Sequence, residues 1–268
     1  MRCAWCANPE NLVPKQQVGF ISKLCQNCGR CQKACPNGAI LPGEYRIDRE
    51  KCTACIACVD ACFYGALVKY GNPMSAEEVF KKVRRDKMFY ETSGGGVTVS
   101  GGEPMTQADF VAKLFKLCHD DGINTCIETC GYAPSEGYHK VIPYTDIFYF
   151  DLKIMDPALH KKYTNCDNAL IFENAKIVAD SGVPVLFRQP LIPTVNDNED
   201  NIKRTAEFIL SLGKTDLQLM PYHRAGQTKY DALQMPYQTA SLQVMTPEHI
   251  NEVKDHYISL GINCTISK

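Results

Sequence analysis

A cysteine repeat near one end of the chain constrains its fold more than any other feature. Residues 25–35 have the spacing Cys-x2-Cys-x2-Cys-x3-Cys, and residues 52–62 repeat it 27 positions later. The likeness continues beyond the cysteines, because the tripeptide Gly-Ala-Ile at 38–40 matches Gly-Ala-Leu at 65–67. Ten of the 15 cysteines lie within residues 3–62. This crowding with regular spacing indicates metal binding in a reducing compartment and not a disulfide framework.

The spacing of the repeat is the one used by bacterial ferredoxins for two [4Fe–4S] clusters. In that arrangement the fourth cysteine of each run ligates the other cluster. A pair of structural zinc sites is the alternative, since CxxC pairs also bind zinc, but two identical four-cysteine runs in tandem favour clusters. Phe63 stands where the first run has Pro36, and this difference removes no ligand. The predicted ligand sets are Cys25, Cys28, Cys31 and Cys62 for one cluster, and Cys52, Cys55, Cys58 and Cys35 for the other.

Composition excludes several classes of protein. The 268 residues are 45% hydrophobic and 22% charged, which is typical of a globular protein and not of a disordered one. The formal net charge is −1 and no basic block stands out, so we expect no nucleic-acid partner. The sequence has no run of about 18 apolar residues and no signal-peptide stretch at its N-terminus, so we expect no membrane span.

Beyond residue 70 the cysteines thin out, and patterns of strands and helices alternate. Ser75-x-x-Glu78 is a capping box that predicts a helix start. The segment 147–152 (IFYFDL) is nearly all apolar, which predicts a parallel strand buried on both faces. The other predicted strands are 95–100, 125–129, 183–189, 217–220 and 263–266, and the predicted helices are 75–87, one from Thr106 onward, 168–181, 199–212 and 247–260.

Repeated strand–helix units predict an α/β fold with a parallel sheet. The strands are too few for an eight-unit barrel, so we predict an open, partial parallel β/α barrel with an inserted ferredoxin-like two-cluster domain. The expected boundaries are 1–18 for an N-terminal remnant, 19–70 for the insert and 71–268 for the barrel. A ligand is expected at the carboxyl ends of the strands, where the sequence places Glu103, Glu128, Asp151, Lys153, Arg188 and His223.

Several short segments together resemble one family. Residues 3–10 (CAWCANPE) look like the end of the CxxxCxxC motif of radical S-adenosylmethionine (SAM) enzymes, and residues 100–104 (SGGEP) resemble the GGEP element of the same family. Residues 151–153 (DLK) and 219–223 (LMPYH) resemble two further elements. With the cysteine repeat, the chain resembles a glycyl-radical-enzyme activating enzyme of the long form that carries a two-cluster insert.

The resemblance implies a reaction and its participants. A third, site-differentiated [4Fe–4S] cluster binds SAM and cleaves it reductively to methionine and a 5′-deoxyadenosyl radical. That radical removes a Cα hydrogen from a glycine of a partner glycyl radical enzyme. The electron donor is expected to be flavodoxin or ferredoxin, the setting an anaerobic bacterial cytoplasm, and the chain a monomer. The ferredoxin-type clusters are expected to relay electrons, with structural bracing or partner docking as the alternative.

The resemblance also assigns roles to residues of this chain. Asp151 and Lys153 are the expected catalytic residues, and Lys153 and Arg188 are expected to meet the SAM carboxylate. Glu103 is expected to accept from the SAM ammonium, while Glu128 and Asp151 balance charge or hold a monovalent cation. The expected SAM-binding residues are Trp5, Cys6, Ala7, Gly101, Gly102, Glu103, Glu128, Asp151, Leu152, Lys153, Arg188 and His223, and the expected thiolates of the site cluster are Cys3 and Cys6.

The chain departs from the family motif at its beginning. The motif has three cysteines, and the position of the first lies four residues before Cys3 and therefore before Met1. The first barrel strand is expected before it, so the sequence predicts an N-terminally truncated chain. Cys126 and Cys130 are not placed by the motif and are expected to be buried thiols. The alternatives to an activating enzyme are an electron-transfer iron–sulfur protein and an inactive truncated product.

Overall fold

The computed structural model describes residues 1–43 and 46–267, and the chain forms two compact units. The sheet unit comprises Met1–Cys3, Met74–His223 and the chain from Leu242 onward. The cysteine-rich unit comprises Ala4–Pro73 and Arg224–Ser241. Residues 224–241, which were expected within the barrel, cluster with the cysteine repeat.

The sheet unit is built on six parallel strands whose spatial order equals their order in the chain. This order and the parallel pairing give an open sheet, with the first and last of the six strands as its edges. Numbered after two strands of the other unit, they are β3 (Gly96–Val99), β4 (Asn124–Thr129), β5 (Ile147–Asp151), β6 (Val185–Leu191), β7 (Asp216–Pro221) and β8 (Asn263–Ile266). All six agree with the predicted strands to within a few residues, and the α/β class with a parallel sheet is confirmed.

Helices connect the strands of the sheet unit and cover one of its faces. Among the described residues, none of the helices is long and apolar enough to cross a membrane. The helices of this unit are α3 (Ala76–Val83), α4 (Lys87–Ser93), α5 (Ala108–Asp120), α6 (Glu136–Val141), α7 (Pro157–Thr164), α8 (Ala169–Asp180), α9 (Glu199–Ser211) and α11 (Pro247–Ser259).

Two of the predicted helix starts can be compared with the structure. The capping box is confirmed, because the Ser75 hydroxyl accepts from Glu78 N at 3.2 Å and Ser75 N donates to Glu78 Oε2 at 2.7 Å. The predicted start at Thr106 is wrong. A 3₁₀ turn occupies 104–107, and its N-cap is Glu103, whose carboxylate accepts from Met105 N. Thr106 instead donates its hydroxyl hydrogen to Glu103 O, and α5 begins two residues later.

The expectation that residues 147–152 are buried on both faces is also wrong for β5. Phe148 and Phe150 are fully buried, while Tyr149 and Asp151 between them are half-buried. The buried face packs in the core, where the rings of Phe150 and Phe187 meet edge to face at 5.9 Å. The opposite face carries polar residues of the neighbouring strands, so the apolar run has one core face and one face toward polar groups.

The cysteine-rich unit is held together by a short two-stranded antiparallel sheet and a small buried cluster. Its strands β1 (Gln17–Phe20) and β2 (Leu67–Tyr70) pair so that Phe20 lies opposite Leu67, which brings the two ends of the cysteine repeat together. Its helices are α1 (Arg30–Ala34), α2 (Ala57–Asp60) and α10 (Gln227–Leu233). The buried cluster next to the cysteine repeat consists of Val18, Phe20, Cys31, Ile40, Ile47, Cys58, Ala66 and Leu67.

The 27-residue repeat of the sequence is also a repeat of the backbone. Left-handed conformations occur at Asn27, Gly29 and Gly38, and again at Ala54, Ile56 and Gly65, which are the positions 27 residues later. A β-branched residue such as Ile56, with a φ of 64°, adopts this region only under constraint from its surroundings. Both cysteine runs therefore follow the same path even where the second run lacks glycine.

Candidate functional site

Charged side chains meet at the carboxyl ends of the central strands of the sheet unit. The Glu128 Oε1 atom lies 2.9 Å from Arg188 Nη1, and the Arg188 Nε atom lies 3.2 Å from Asp151 Oδ1. The second oxygen of Asp151 lies 2.9 Å from Lys153 Nζ. These contacts form a chain of alternating charges, called the rim network below. Four of the residues predicted to share a site are thus in direct contact.

Lys153 is the most buried member of the rim network, with 8% of its surface exposed. Burial alone would lower the pKa of its ammonium group, because a charge is costly in an apolar environment. The carboxylate of Asp151, together with Cys3 and Cys130, outweighs burial and raises the pKa above its ordinary value. Lys153 is therefore a permanent cation at neutral pH.

Arg188 links the two carboxylates of the rim network. Burial opposes its charge, but Asp151 and Glu128 more than compensate, so the pKa of the guanidinium is raised. Its guanidinium carbon lies 5.0 Å from the centre of the Tyr149 ring, so the guanidinium contacts an aromatic ring as well as the two carboxylates. The Ser100 hydroxyl donates to Glu128 Oε2 at 2.6 Å, so both oxygens of Glu128 have partners.

Glu103 has a structural role that the sequence did not predict. One carboxylate oxygen accepts from the Thr129 hydroxyl at 2.7 Å and from Met105 N at 3.0 Å. The other accepts from Cys130 N at 2.7 Å. A carboxylate offers about four acceptor positions. Three protein donors therefore leave Glu103 room for about one more hydrogen bond.

Buried asparagines, which sequence reasoning missed, hold the loop that follows β5. Asn196 is fully buried, and its Nδ2 donates to Lys153 O and to Pro190 O, each at 2.7 Å. Asn168 donates to the carbonyl oxygens of residues 154 and 155 at 3.0 Å, and Asn201 Oδ1 accepts from Met155 N at 2.8 Å. The signal in the sequence was the asparagine-rich segment 196–201, which follows a strand and precedes a helix.

The remaining predicted site residues lie in varied surroundings. Gly101 and Gly102 are exposed and follow β3. Gly101 has a φ of 120°, a backbone conformation that favours glycine. Leu152 is buried in the core, with 1% exposed, and His223 is exposed after β7. The other predicted residues, Trp5, Cys6 and Ala7, belong to the cysteine-rich unit.

The eight cysteines of the repeat line two cavities in the cysteine-rich unit. They are called cavity I and cavity II. Among the described ranges 1–43 and 46–267, no three His, Cys, Asp or Glu side chains converge on a single-ion site. The cysteines surround the cavities instead, with Cys25, Cys28, Cys31 and Cys62 around cavity I, and Cys35, Cys52, Cys55 and Cys58 around cavity II.

The surroundings of the cavities fit a negatively charged iron–sulfur group. Backbone amides of Asn27 and Ala39 donate to the sulfurs of Cys25 and Cys35 at 3.4 and 3.2 Å. Arg46 is 4% exposed and its Nη2 lies 3.5 Å from Cys25 Sγ, while its Nε has no hydrogen-bond partner. A buried cation beside a cysteine is stabilised when the cavity holds a negative charge. The donor chemistry of cavity I therefore suits a thiolate-ligated [4Fe–4S] cluster.

The cysteine-rich unit also contains Cys6, the second cysteine of the CxxC pair, and the loop that follows it. Helix α10 packs on this loop, since a Cβ placed on Gly226 would lie 3.1 Å from Ala7 Cα and 3.2 Å from Cys6 O. Lys229 Nζ lies 2.6 Å from Glu10 Oε1 and 2.6 Å from Asn8 Oδ1. Sequence reasoning missed this helix, which is short and has no capping signal.

A comparison with protein-family models agrees with these motifs. Residues 1–209 match the model of the radical SAM superfamily. The chain belongs to the radical SAM superfamily. The matched residues include Cys3, Cys6 and the four members of the rim network.

Relatives place this radical SAM chain more narrowly. It is 42% identical to the (2S)-3-sulfopropanediol dehydratase activating enzyme of Klebsiella oxytoca, over 99% of this chain and 88% of that protein. It is 38% identical to the trans-4-hydroxy-L-proline dehydratase activating enzyme of Clostridioides difficile, over 99% of this chain and 90% of that protein. A crystal structure of a domain of pyruvate-formate lyase-activating enzyme from Bacteroides vulgatus matches with a TM-score of 0.55 and 31% identity, over 65% of this chain and 99% of that one.

This radical SAM chain is therefore an enzyme, and it is a member of the glycyl-radical-enzyme activating enzymes. The family resemblance stated from the sequence is confirmed. The two alternatives, an electron-transfer protein and an inactive product, are not favoured by relatives that match nearly the whole chain.

Proposed function

We propose that the rim network of the sheet unit is the SAM-binding site with which this chain activates a partner glycyl radical enzyme. One observation carries the proposal: two cations, Lys153 and Arg188, are buried at the carboxyl ends of the strands and are kept charged by Asp151 and Glu128. A cluster of buried charges contributes little to stability, because removing the charges from water is costly. Such clusters are typical of functional sites. A zwitterionic amino-acid group is the ligand that alternating charges suit.

The chemistry of the bound cofactor is that of the family. When bound, the reduced site cluster supplies one electron that cleaves SAM, and the resulting 5′-deoxyadenosyl radical removes a Cα hydrogen from a glycine of the partner. The residues of this chain bind and orient SAM for that step. Lys153 and Arg188 meet the methionine carboxylate with charge-assisted hydrogen bonds, and Asp151 and Glu128 hold the two cations in place.

The remaining proposed contacts follow the same logic. Glu103 has about one free acceptor position, which it offers to the SAM ammonium. Gly101 and Gly102 lack side chains, so the ligand can approach the backbone closely. Trp5, Ala7, Leu152 and His223 are proposed to contact the nucleoside part, and the thiolates of Cys3 and Cys6 to hold the site cluster. Asp151 and Lys153 remain the proposed catalytic residues.

We also propose that cavities I and II hold two [4Fe–4S] clusters of a ferredoxin-like insert. The repeat in sequence and backbone, the four cysteines at each cavity and the buried Arg46 beside Cys25 support this. These clusters relay single electrons from flavodoxin or ferredoxin toward the site cluster. Oxygen-sensitive clusters of this kind belong in the cytoplasm of an anaerobic bacterium.

The SAM proposal is tested by measuring 5′-deoxyadenosine. The protein is prepared without oxygen and is given SAM and a reductant. We expect 5′-deoxyadenosine to form, and Lys153→Gln to lower its rate by about 100-fold or more. Lys116→Gln is the matched control, because Lys116 is exposed on α5 and pairs with Asp120. No product from the parent protein with its iron–sulfur clusters in place would overturn the proposal.

The cluster proposal is tested by iron and sulfide content. The insert alone accounts for about eight iron atoms per chain. We expect Cys28→Ser to lose roughly half of them, because it removes one ligand of cavity I only. Cys118→Ser, a change in the core of the sheet unit, is the control and keeps the full content. A protein that binds about two zinc ions and no iron would contradict the proposal.

A further inference from the structure

The rims of the two cavities differ, although the repeat relates them. Arg30 and Phe63 lie in contact beside cavity I, with the guanidinium carbon 4.4 Å from the ring centre, and Tyr64 lines that cavity. The positions 27 residues away are Ala57, Pro36 and Asn37. Since both cavities need the same ligands, the extra aromatic and basic groups at cavity I call for a separate explanation.

The aromatic residues at cavity I are unusually exposed. Phe63 is 78% exposed and Tyr64 is 51% exposed, although both belong to residue types that usually bury most of their surface. Leu24, next to Cys25, is 44% exposed. Exposed aromatic groups together with arginine are typical of protein interfaces. At cavity II, by contrast, Asn37 donates to the Thr53 hydroxyl at 2.8 Å and offers a small polar surface.

Charge distinguishes the two rims as well. Residues 22–33 contain the exposed cations Lys23, Arg30 and Lys33 and no acidic residue, which gives a formal charge of +3. The matching residues 49–60 contain two basic and two acidic residues, which gives zero. A basic surface around an exposed apolar centre is complementary to an acidic protein.

We propose that the surface formed by Lys23, Leu24, Arg30, Lys33, Phe63 and Tyr64, called the aromatic rim, docks a small acidic protein that carries single electrons. This inference rests on the proposed function, in which cavity I holds a cluster. Cys28 is exposed beside cavity I, so the path from the donor to the cluster is short. Each transfer oxidises the donor by one electron and reduces one cluster from the 2+ to the 1+ state, with no proton or bond involved.

The test measures how fast a protein donor reduces the clusters. Oxidised holoprotein is mixed anaerobically with a flavodoxin in its hydroquinone form, and the visible absorbance of the clusters is followed. We expect Arg30→Glu to lower the second-order rate constant at least 10-fold and to weaken its dependence on salt. Phe63→Ala is expected to lower it about 3- to 10-fold. Lys51→Glu and Asn37→Ala, which make similar changes beside cavity II, are expected to change it less than 2-fold.

Dithionite separates this inference from the proposed function. As a small reductant it needs no docking surface, so it should reduce the parent and all four variants at the same rate. If the parent contains no iron, or dithionite reduces no cluster, the proposed function fails. If the clusters are intact but Arg30→Glu and Phe63→Ala react with flavodoxin like the parent, the docking proposal is overturned. If Arg30→Glu loses its clusters, Arg30→Gln is used in its place after its iron content has been measured.

A second outcome would assign the aromatic rim to another partner. If both variants accept electrons normally but no longer bind the glycyl radical enzyme, the surface docks that enzyme and the donor proposal is wrong. Co-sedimentation of each variant with the glycyl radical enzyme makes this comparison directly.

Discussion

At the scale of single residues, the site is defined by charges that are buried and paired. Arg188 is the residue on which the rim network depends, because it contacts both Glu128 and Asp151 while only 11% of its side chain is exposed. Removing one partner of a buried ion pair typically costs about 3–5 kcal/mol, since it leaves the other charge unpaired. The network therefore combines a role in stability with the proposed role in binding.

Arg188→Gln is expected to weaken SAM binding by about 100-fold and to destabilise the sheet unit by about 3 kcal/mol. Arg188→Lys keeps the charge but loses the planar fork, so it is expected to recover stability better than binding. Isothermal titration with SAM and urea unfolding measure the two effects separately. If Arg188→Gln binds SAM like the parent, Arg188 is structural only.

Arg46 allows a prediction about reduction potential. A unit charge about 6 Å from the centre of a cluster, at an effective dielectric constant of about 20, is worth about 2.8 kcal/mol. For one electron this corresponds to an upper bound of roughly 120 mV. Arg46→Gln removes a positive charge that stabilises the reduced cluster, so we expect the potential of the cavity I cluster to fall by several tens of millivolts. Spectroelectrochemical titration measures the shift, and Lys51→Gln, a more exposed change, serves as the control. An unchanged or higher potential would contradict the assigned role of Arg46.

At the scale of helices and strands, the sheet unit was largely predictable and the cysteine-rich unit was not. Strands such as β5 are continuous apolar runs, and α3 begins at a capping box, so local sequence determines both. The antiparallel pair of β1 and β2 joins segments about 50 residues apart. Helix α10 is seven residues long and has no side-chain cap. Such elements depend on contacts between distant segments, which periodicity along the chain does not show.

The same distinction applies to the site. Glu128, Asp151 and Lys153 could be predicted to meet because they lie near or just beyond the ends of parallel strands, whereas Arg188 lies three residues before the end of β6 and meets them because it is opposite Asp151 in the sheet. The three hydrogen bonds received by Glu103 could not be predicted, since its donors Thr129 and Cys130 belong to another strand and the loop after it. Likewise, no local pattern shows that Gly226 contacts Cys6 and Ala7.

Gly226 gives a prediction for α10. Its missing Cβ leaves room for the backbone of Cys6 and Ala7, so Gly226→Val is expected to displace that loop at a cost of about 1–3 kcal/mol. We expect faster hydrogen exchange at residues 4–10 and a lower unfolding temperature of the cysteine-rich unit. Thr228→Val adds the same side chain at an exposed position of α10 and should leave both unchanged. Equal exchange rates in the two variants would show that the close contact does not hold the loop.

At the scale of the whole molecule, the two units differ in how they are stabilised. The core of the sheet unit contains large, fully buried side chains such as Phe115, Phe148, Phe187 and Tyr257. Around the cavities of the cysteine-rich unit, the buried cluster has eight residues in the part of the chain that the structure describes, and two of them are the cysteines Cys31 and Cys58 that line the cavities. A core this small rarely stabilises a fold without a metal or another cross-link. Binding of the clusters is therefore expected to supply much of the folding free energy of this unit.

Removal of iron tests this difference, because Trp5 is the single tryptophan of the chain and lies in the cysteine-rich unit. Its fluorescence follows the unfolding of that unit, whereas far-ultraviolet circular dichroism mainly follows the helices of the sheet unit. With iron bound, we expect both signals to report a stable protein. After anaerobic chelation, the fluorescence transition should move to a lower temperature by about 10 °C or more, while the circular dichroism transition moves little. Coincident transitions in the iron-free protein would mean that the small core suffices without its clusters.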